Sequence, residues 1–210
     1  MNAEALGVVV LTSSGLVPGR THLDVARAAI AGGANIVQVR APELSNDELR
    51  ELSRTVVKAC EGSTTLPVVN DSVEIAVDVG AAGVHVGQTD GPAGVRARLG
   101  DRMLGVSVST PEDAREAAAF GADYLGITVW ATPTKPEALP MGLDGLAAVV
   151  AASSLPVVGI GGVSAQNATE VLGAGASGIA VVSAVGAAGD VEAATRDLVE
   201  LVLTWKKEHR

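Results

Sequence analysis

The strongest constraint in this sequence is an alternation. Short apolar runs recur along the whole chain, at 7–11, 36–39, 66–69, 83–86, 104–108, 124–127, 157–158 and 179–182. Runs of this kind, bounded by turn residues, fit strands buried on both faces, as in a parallel sheet. Between them lie stretches of helical character: 21–31, one capped by Ser45, 73–79, 91–99, one opened by Thr110-Pro111, 142–152, one between 162 and 177, and 190–207. Thr21, Ser45 and Thr110 are predicted N-caps, Ser45 with Glu48 in a capping box, and Pro111 is predicted at N1. Eight strands and eight helices in strict alternation imply parallel strands with right-handed crossovers. The eightfold count points to a closed α/β structure, a (β/α)8 TIM barrel, and the 210 residues suit one such domain, 1–210. An open doubly wound sheet stays as the alternative, because periodicity says nothing of closure. Gly-Ala phrases beginning at Gly32, Gly80, Gly121 and Gly173 recur before strands two, four, six and eight, as helix ends leading into strands.

Composition narrows the function. The formal charge is −9, and no Lys/Arg cluster stands out before Lys206-Lys207, which argues against nucleic acid. No apolar run reaches the ~18 residues of a membrane span, and Met1-Asn-Ala-Glu lacks a basic leader region. The single Cys60 excludes an intramolecular disulfide and suits the cytoplasm. It ends a helix with no His near in sequence and is assigned no chemistry. His22 and His209 read as surface residues, and His85 as either a satisfied barrel histidine or a ligand.

In such barrels the reactive groups sit at the C-terminal ends of strands. Strand two ends Gln38-Val39-Arg40, where alternation turns Gln38 and Arg40 the same way and the Arg can clamp phosphate. Strand three ends Asn70-Asp71, which reads either as a helix cap or as ligands. Asp90 follows strand four, as a turn residue or as a partner of Asp71 on a shared Mg²⁺. Ser107 ends strand five. After strand six, Thr132, Thr134 and Lys135 lie in a proline-flanked loop, and Lys135 is the one lysine at a predicted strand end. Gly161-Gly162 and Ser183 end strands seven and eight, each expected to feed a helix N-terminus, and together suggest a phosphate cradle. The plainer reading of the two glycines is a tight turn.

Gln38-Val-Arg40, Asn70-Asp71, Gly83-Val-His-Val-Gly-Gln-Thr-Asp90, Leu104-Gly-Val-Ser107, Thr132-Pro-Thr-Lys135, Gly159-Ile-Gly-Gly162 and Val181-Val-Ser-Ala184 together resemble the thiamine-phosphate synthase family. The resemblance implies a transferase of thiamine biosynthesis acting on two small molecules. Hydroxymethylpyrimidine pyrophosphate would be joined to thiazole phosphate with release of pyrophosphate and with Mg²⁺ as cofactor. It implies that Asp71 and Asp90 hold the metal. Arg40, Ser107, Lys135 and Asn70 would hold the pyrophosphate, the first three as catalytic groups, with Gln38 near the pyrimidine. Thr132, Thr134, Gly162, Val182 and Ser183 would hold the thiazole phosphate. Three places depart from the family pattern. Pro42 stands where a Lys is usual, the first strand ends Thr12-Ser13-Ser14 where Thr-Asp is usual, and Thr128 stands where Gly-Pro is common. The rival readings are a thiazole tautomerase-like barrel, which would have a His where Ser109 stands, and a non-catalytic phosphate-binding barrel.

Overall fold

The computed structural model describes residues 6–87, 92–134, 136 and 138–209. Eight parallel strands close into a barrel in sequence order: β1 (Val8–Leu11), β2 (Ile36–Val39), β3 (Leu66–Asn70), β4 (Gly83–Val86), β5 (Met103–Ser107), β6 (Tyr124–Thr128), β7 (Val157–Ile160) and β8 (Gly178–Val181). Pairing of Val8 with Ile179 and Val10 with Val181 makes the closure that periodicity left open. Around it run α1 (His22–Ala31), α2 (Asn46–Cys60), α3 (Val73–Asp78), α4 (Pro92–Leu99), α5 (Pro111–Ala119), α6 (Gly142–Ala152), α7 (Ala168–Gly173), α8 (Ser183–Gly186) and α9 (Val191–Glu208).

The predicted starts of α1, α2 and α5 hold in detail. Thr21, Ser45 and Thr110 each accept a bond from the backbone of the third helical residue, whose carboxylate answers back in a capping box. The Gly-Ala phrases share one closure: the N–H groups of Ala34, Ala81, Ala122 and Ala176 reach back to Ala29, Ala76, Ala117 and Val171. That is the six-to-one bond of a Schellman end, and it delivers a buried alanine at the entry to each even-numbered strand.

Alternation along the strands separates two packed regions. Val9, Leu11, Ile36, Val68, Met103, Tyr124, Val158 and Ala180 point inward and fill the barrel. Their neighbours Val8, Val10, Val37, Val39, Val69 and Val181 point outward into the larger layer shared with the helices.

Three expectations need correction. The helix count misses α8, a single turn that starts directly after β8 and gives nine helices among the described residues. Four residues carry too little periodicity to be read as a helix. α7 begins only at Ala168, so Gly161-Gly162 leads into a turn rather than straight into a helix; Asn167 pins that turn, accepting from Ser164 N–H and donating to the Gly162 carbonyl. His22 is not at the surface. It is 7% exposed at the first turn of α1, with both ring nitrogens in hydrogen bonds. His209 is exposed and stacks on Trp205 with ring centroids 3.7 Å apart.

Candidate active site

A cavity of about 380 Å³ opens at the C-terminal ends of the strands. Gln38, Arg40, Asn70, Ser107, Thr132, Thr134, Gly162, Val182 and Ser183 all line it, so the folding of β2 through β8 gathers these predicted residues around one space. Asp71 follows Asn70 at the rim. Asp90 and Lys135 lie outside the described residues.

The floor is a polar network set in apolar walls. His85 on β4 lies with Nδ1 3.0 Å from the Tyr124 hydroxyl and Nε2 3.0 Å from Ser107 Oγ. A hydroxyl on each ring nitrogen satisfies a neutral imidazole in either tautomer. Tyr124 is 2% exposed. Burial pushes its hydroxyl pKa well above the ordinary value, and a hydrogen bond with Gln38 offsets part of the rise. Space for these rings depends on glycine. A Cβ at Gly105 would lie 2.2 Å from Tyr124 Cζ and 2.5 Å from His85 Nδ1, far inside contact distance. Sequence reasoning missed Tyr124, which ended up only as the start of a strand. The available signal was that the chain's single Tyr sits two residues before Gly126, on one inward-facing lane.

At the end of β3 the backbone is unusual. Asp71 has φ 62°, a left-handed conformation that a side chain other than Asn or Asp seldom takes. Its N–H donates to the His85 carbonyl at 2.8 Å, and Ser72 N–H turns back to the Asn70 carbonyl at 2.8 Å. Asn70 Nδ2 donates to Asp71 Oδ2 at 2.5 Å. The cap of α3 is Ser72, whose hydroxyl accepts from Ile75 N–H. The helix-cap reading of Asn70-Asp71 is therefore removed; Asn70 lines the cavity and ties the Asp71 carboxylate beside it.

The opposite wall is mostly backbone. Gly161 and Gly162 have φ 88° and 66°, a consecutive left-handed pair. A Cβ on Gly161 would stand 2.5 Å from the Trp130 carbonyl oxygen, so the chain after β7 passes hard against the chain after β6. Thr132 and Thr134 join their hydroxyls at 2.9 Å on the same side. Val182 bends at φ −119° and ψ −80° to start α8, whose first N–H groups have no carbonyl to meet within the helix. Arg20 fixes the far end of that turn by donating to the carbonyls of Gly186 at 2.9 Å and Ala188 at 2.6 Å.

Cys60 is buried and its thiol is pushed up to about 11 by desolvation, which leaves it unreactive. Among the described residues no helix is long and apolar enough to cross a membrane.

Residues 8–185 match the family model described as thiamine monophosphate synthase. Thiamine-phosphate synthase of Moorella thermoacetica is 45% identical over 201 residues, covering 94% of this chain and 95% of that protein. The protein of the same name from Chloroflexus aurantiacus is 47% identical over 196 residues, covering 92% and 91%. Among solved structures, a thiamine phosphate pyrophosphorylase from Pyrococcus furiosus superposes with a TM-score of 0.88 at 36% identity, covering 97% of this chain and 98% of that one.

Proposed function

The chain belongs to the thiamine monophosphate synthase family, and from that premise we propose that it joins hydroxymethylpyrimidine pyrophosphate to thiazole phosphate and releases pyrophosphate. The observation that carries this reading is one cavity with two unlike walls, side chains after β2 to β5 facing backbone turns after β7 and β8. Two substrates, each with its own phosphate group, need two such walls.

In this reading Arg40, Asn70 and Ser107 hold the pyrophosphate, Lys135 joins them from the loop after β6, and Gln38 meets the pyrimidine. Gly162, Val182 and Ser183 hold the thiazole phosphate through backbone N–H groups, with Thr132 and Thr134 beside them. The carbon–oxygen bond to pyrophosphate breaks, and its electron pair leaves with the pyrophosphate. The thiazole nitrogen then gives its lone pair to the pyrimidine methylene carbon. No proton has to move, so a floor histidine with both nitrogens occupied is no handicap. Negative charge growing on the leaving group is met by Arg40 and Lys135. Val9, Leu11, Val158, Ile160 and Ala180 line the cavity as apolar surface, which keeps water from capturing the carbocation before the thiazole does.

Asp71 and Asp90 are proposed to hold Mg²⁺. Among the described residues no three His, Cys, Asp or Glu side chains cluster as a metal cage. Mg²⁺ does not ask for one, since it is commonly bound by one or two carboxylates with waters and substrate phosphates. A carboxylate on a tight turn at a strand end suits that role. The ion would neutralise pyrophosphate charge. The lone thiol fits a cytoplasmic setting.

The test is to incubate both substrates with Mg²⁺ and follow pyrophosphate and thiamine phosphate. Equal amounts of the two products are expected. Binding of thiazole phosphate with no product formed would overturn the transferase reading in favour of a non-catalytic barrel.

A further inference from the structure

One hydrogen-bonded chain, with His22 and Thr12 buried and Glu43 half exposed, runs beside the cavity, and the proposed reaction does not use it. His22, the first residue of α1, places Nε2 2.6 Å from Glu43 Oε1 and Nδ1 3.1 Å from Thr12 Oγ1. Ser14 donates its hydroxyl to the same Glu43 oxygen at 2.6 Å. Thr12 in turn accepts the backbone N–H of Arg40 at 3.1 Å. Thr12 sits where the β1–β2 ladder runs out. Its own N–H bonds to the Gln38 carbonyl at 2.9 Å, and its side chain then does for Arg40 what the next backbone rung would have done.

The direction of these bonds can be worked out. Burial raises the Glu43 pKa, but the bonds from His22 and Ser14 outweigh it and hold the carboxyl at about 2. An ionised carboxylate can only accept, so His22 Nε2 must carry a proton. With Nε2 protonated in a neutral ring, Nδ1 accepts from the Thr12 hydroxyl at 3.1 Å, closer than the Arg40 carbonyl that the same hydroxyl faces at 3.4 Å. The donors line up from Arg40 N–H through Thr12 and His22 to Glu43. Pro42 completes the device. It is the second residue of a turn closed by Leu44 N–H to the Ala41 carbonyl at 3.1 Å, and its fixed φ favours the turn that presents Glu43 to His22.

We infer that His22 is a positioning residue for Arg40, acting through Thr12, and that its bond to Glu43 steers that carboxylate toward α1 and away from the anion bound by Arg40. The inference rests on the assignment of Arg40 to the pyrophosphate. Where the family usually carries a second cation after this Arg, the present chain carries an anchored turn.

The experiment is steady-state kinetics of His22→Ala, His22→Gln and Thr12→Val, varying each substrate in turn, with circular dichroism to verify the fold. His22→Ala and Thr12→Val should raise KM for the pyrimidine pyrophosphate about tenfold and leave KM for thiazole phosphate unchanged. His22→Gln, whose amide can still donate to Glu43, should recover most of the loss. Equal rises in both KM values would mean general damage, and no rise would mean no coupling; either overturns the inference. Hydrogen exchange at the Arg40 amide of the free protein reads the same link without turnover and should quicken about tenfold in His22→Ala. If the wild type joined no substrates, the function would fail, and unchanged Arg40 exchange would separately refute the positioning role.

Discussion

The two walls of the cavity are built in different materials. After β2, β3 and β5 the wall consists of side chains: Arg40, Asn70 and Ser107 reach in from separate strands. After β7 and β8 it consists mainly of backbone: two left-handed glycines and the start of one helical turn, tied together at Trp130 and Arg20. A side-chain wall can be changed one residue at a time, since Arg40, Asn70 and Ser107 come from separate strands. A backbone wall fails as a unit when a Cβ intrudes, as one on Gly161 would against the Trp130 carbonyl. The contrast teaches that one cavity can join a wall that tolerates single exchanges to a wall that does not.

That contrast can be broken by experiment. The largest effect is expected on the side-chain wall. Arg40→Ala and Lys135→Ala should each lower kcat/KM for the pyrimidine pyrophosphate by roughly a hundredfold or more, about 3 kcal/mol of lost transition-state stabilisation, with thiazole-phosphate binding unchanged. A Lys135→Ala enzyme with wild-type kcat would remove that lysine from the leaving-group site. Next comes the backbone wall probed by its ligand. At ~100 times its dissociation constant, thiazole phosphate should stabilise the free protein by about 2.7 kcal/mol in a denaturant titration. The unphosphorylated thiazole alcohol should do far less, and equal protection by both would contradict a phosphate cradle.

Gly161→Ala should act on the wall itself. The new methyl meets the Trp130 carbonyl and a φ of 88°, so a loss of about 2 kcal/mol in unfolding free energy is expected, together with weaker thiazole-phosphate binding. Normal affinity for that ligand would show that the close approach of the two loops is dispensable. Tyr124→Phe tests the floor between the walls. It removes the hydroxyl that bonds His85 Nδ1 and Gln38, and about 1–2 kcal/mol of stability should go with it.

The smallest effect lies in acid. Glu43 is held at about 2 in the fold against an ordinary 4.5, so it stabilises the native state above about pH 4.5 and that contribution fades as pH falls toward 2. Its side chain is 48% exposed, so solvent screening keeps the term below about 1 kcal/mol. Glu43→Gln should flatten the stability profile across that window, and an unchanged profile would mean that the carboxylate is not held as described.

The parts legible in the sequence are the ones set by neighbours along the chain. The N-caps at Thr21, Ser45 and Thr110 reach three residues on, and strand runs span four or five. The glycine pair after β7 and the residues at strand ends follow from the same short patterns once eight units are counted. What stayed hidden depends on which strands become neighbours. Tyr124 meets His85 across 39 positions, and Arg40 meets Thr12 across 28. His22 reads as a surface residue in the sequence, and only the placement of β1 beside β2 surrounds it. Ser72 took the cap from Asn70-Asp71 because the left-handed turn at Asp71 shifts the helix start by a residue; Asp tolerates that conformation, but tolerance alone does not say that the chain will use it there.

Arg20 leaves the first loop of the barrel and grips the carbonyls of Gly186 and Ala188, 166 and 168 positions later. A contact that long is among the costliest in loop entropy and the last that a growing chain can make. On the ribosome, the strands from β1 to β7 emerge before the turn that would receive a phosphate can be seated. The proposed cradle is therefore completed only once the two ends of the molecule have met. If thiazole phosphate binds at this wall as proposed, its binding would report that the chain has closed on itself, and a half-made protein would have no cradle with which to withdraw substrate from the cell's pool.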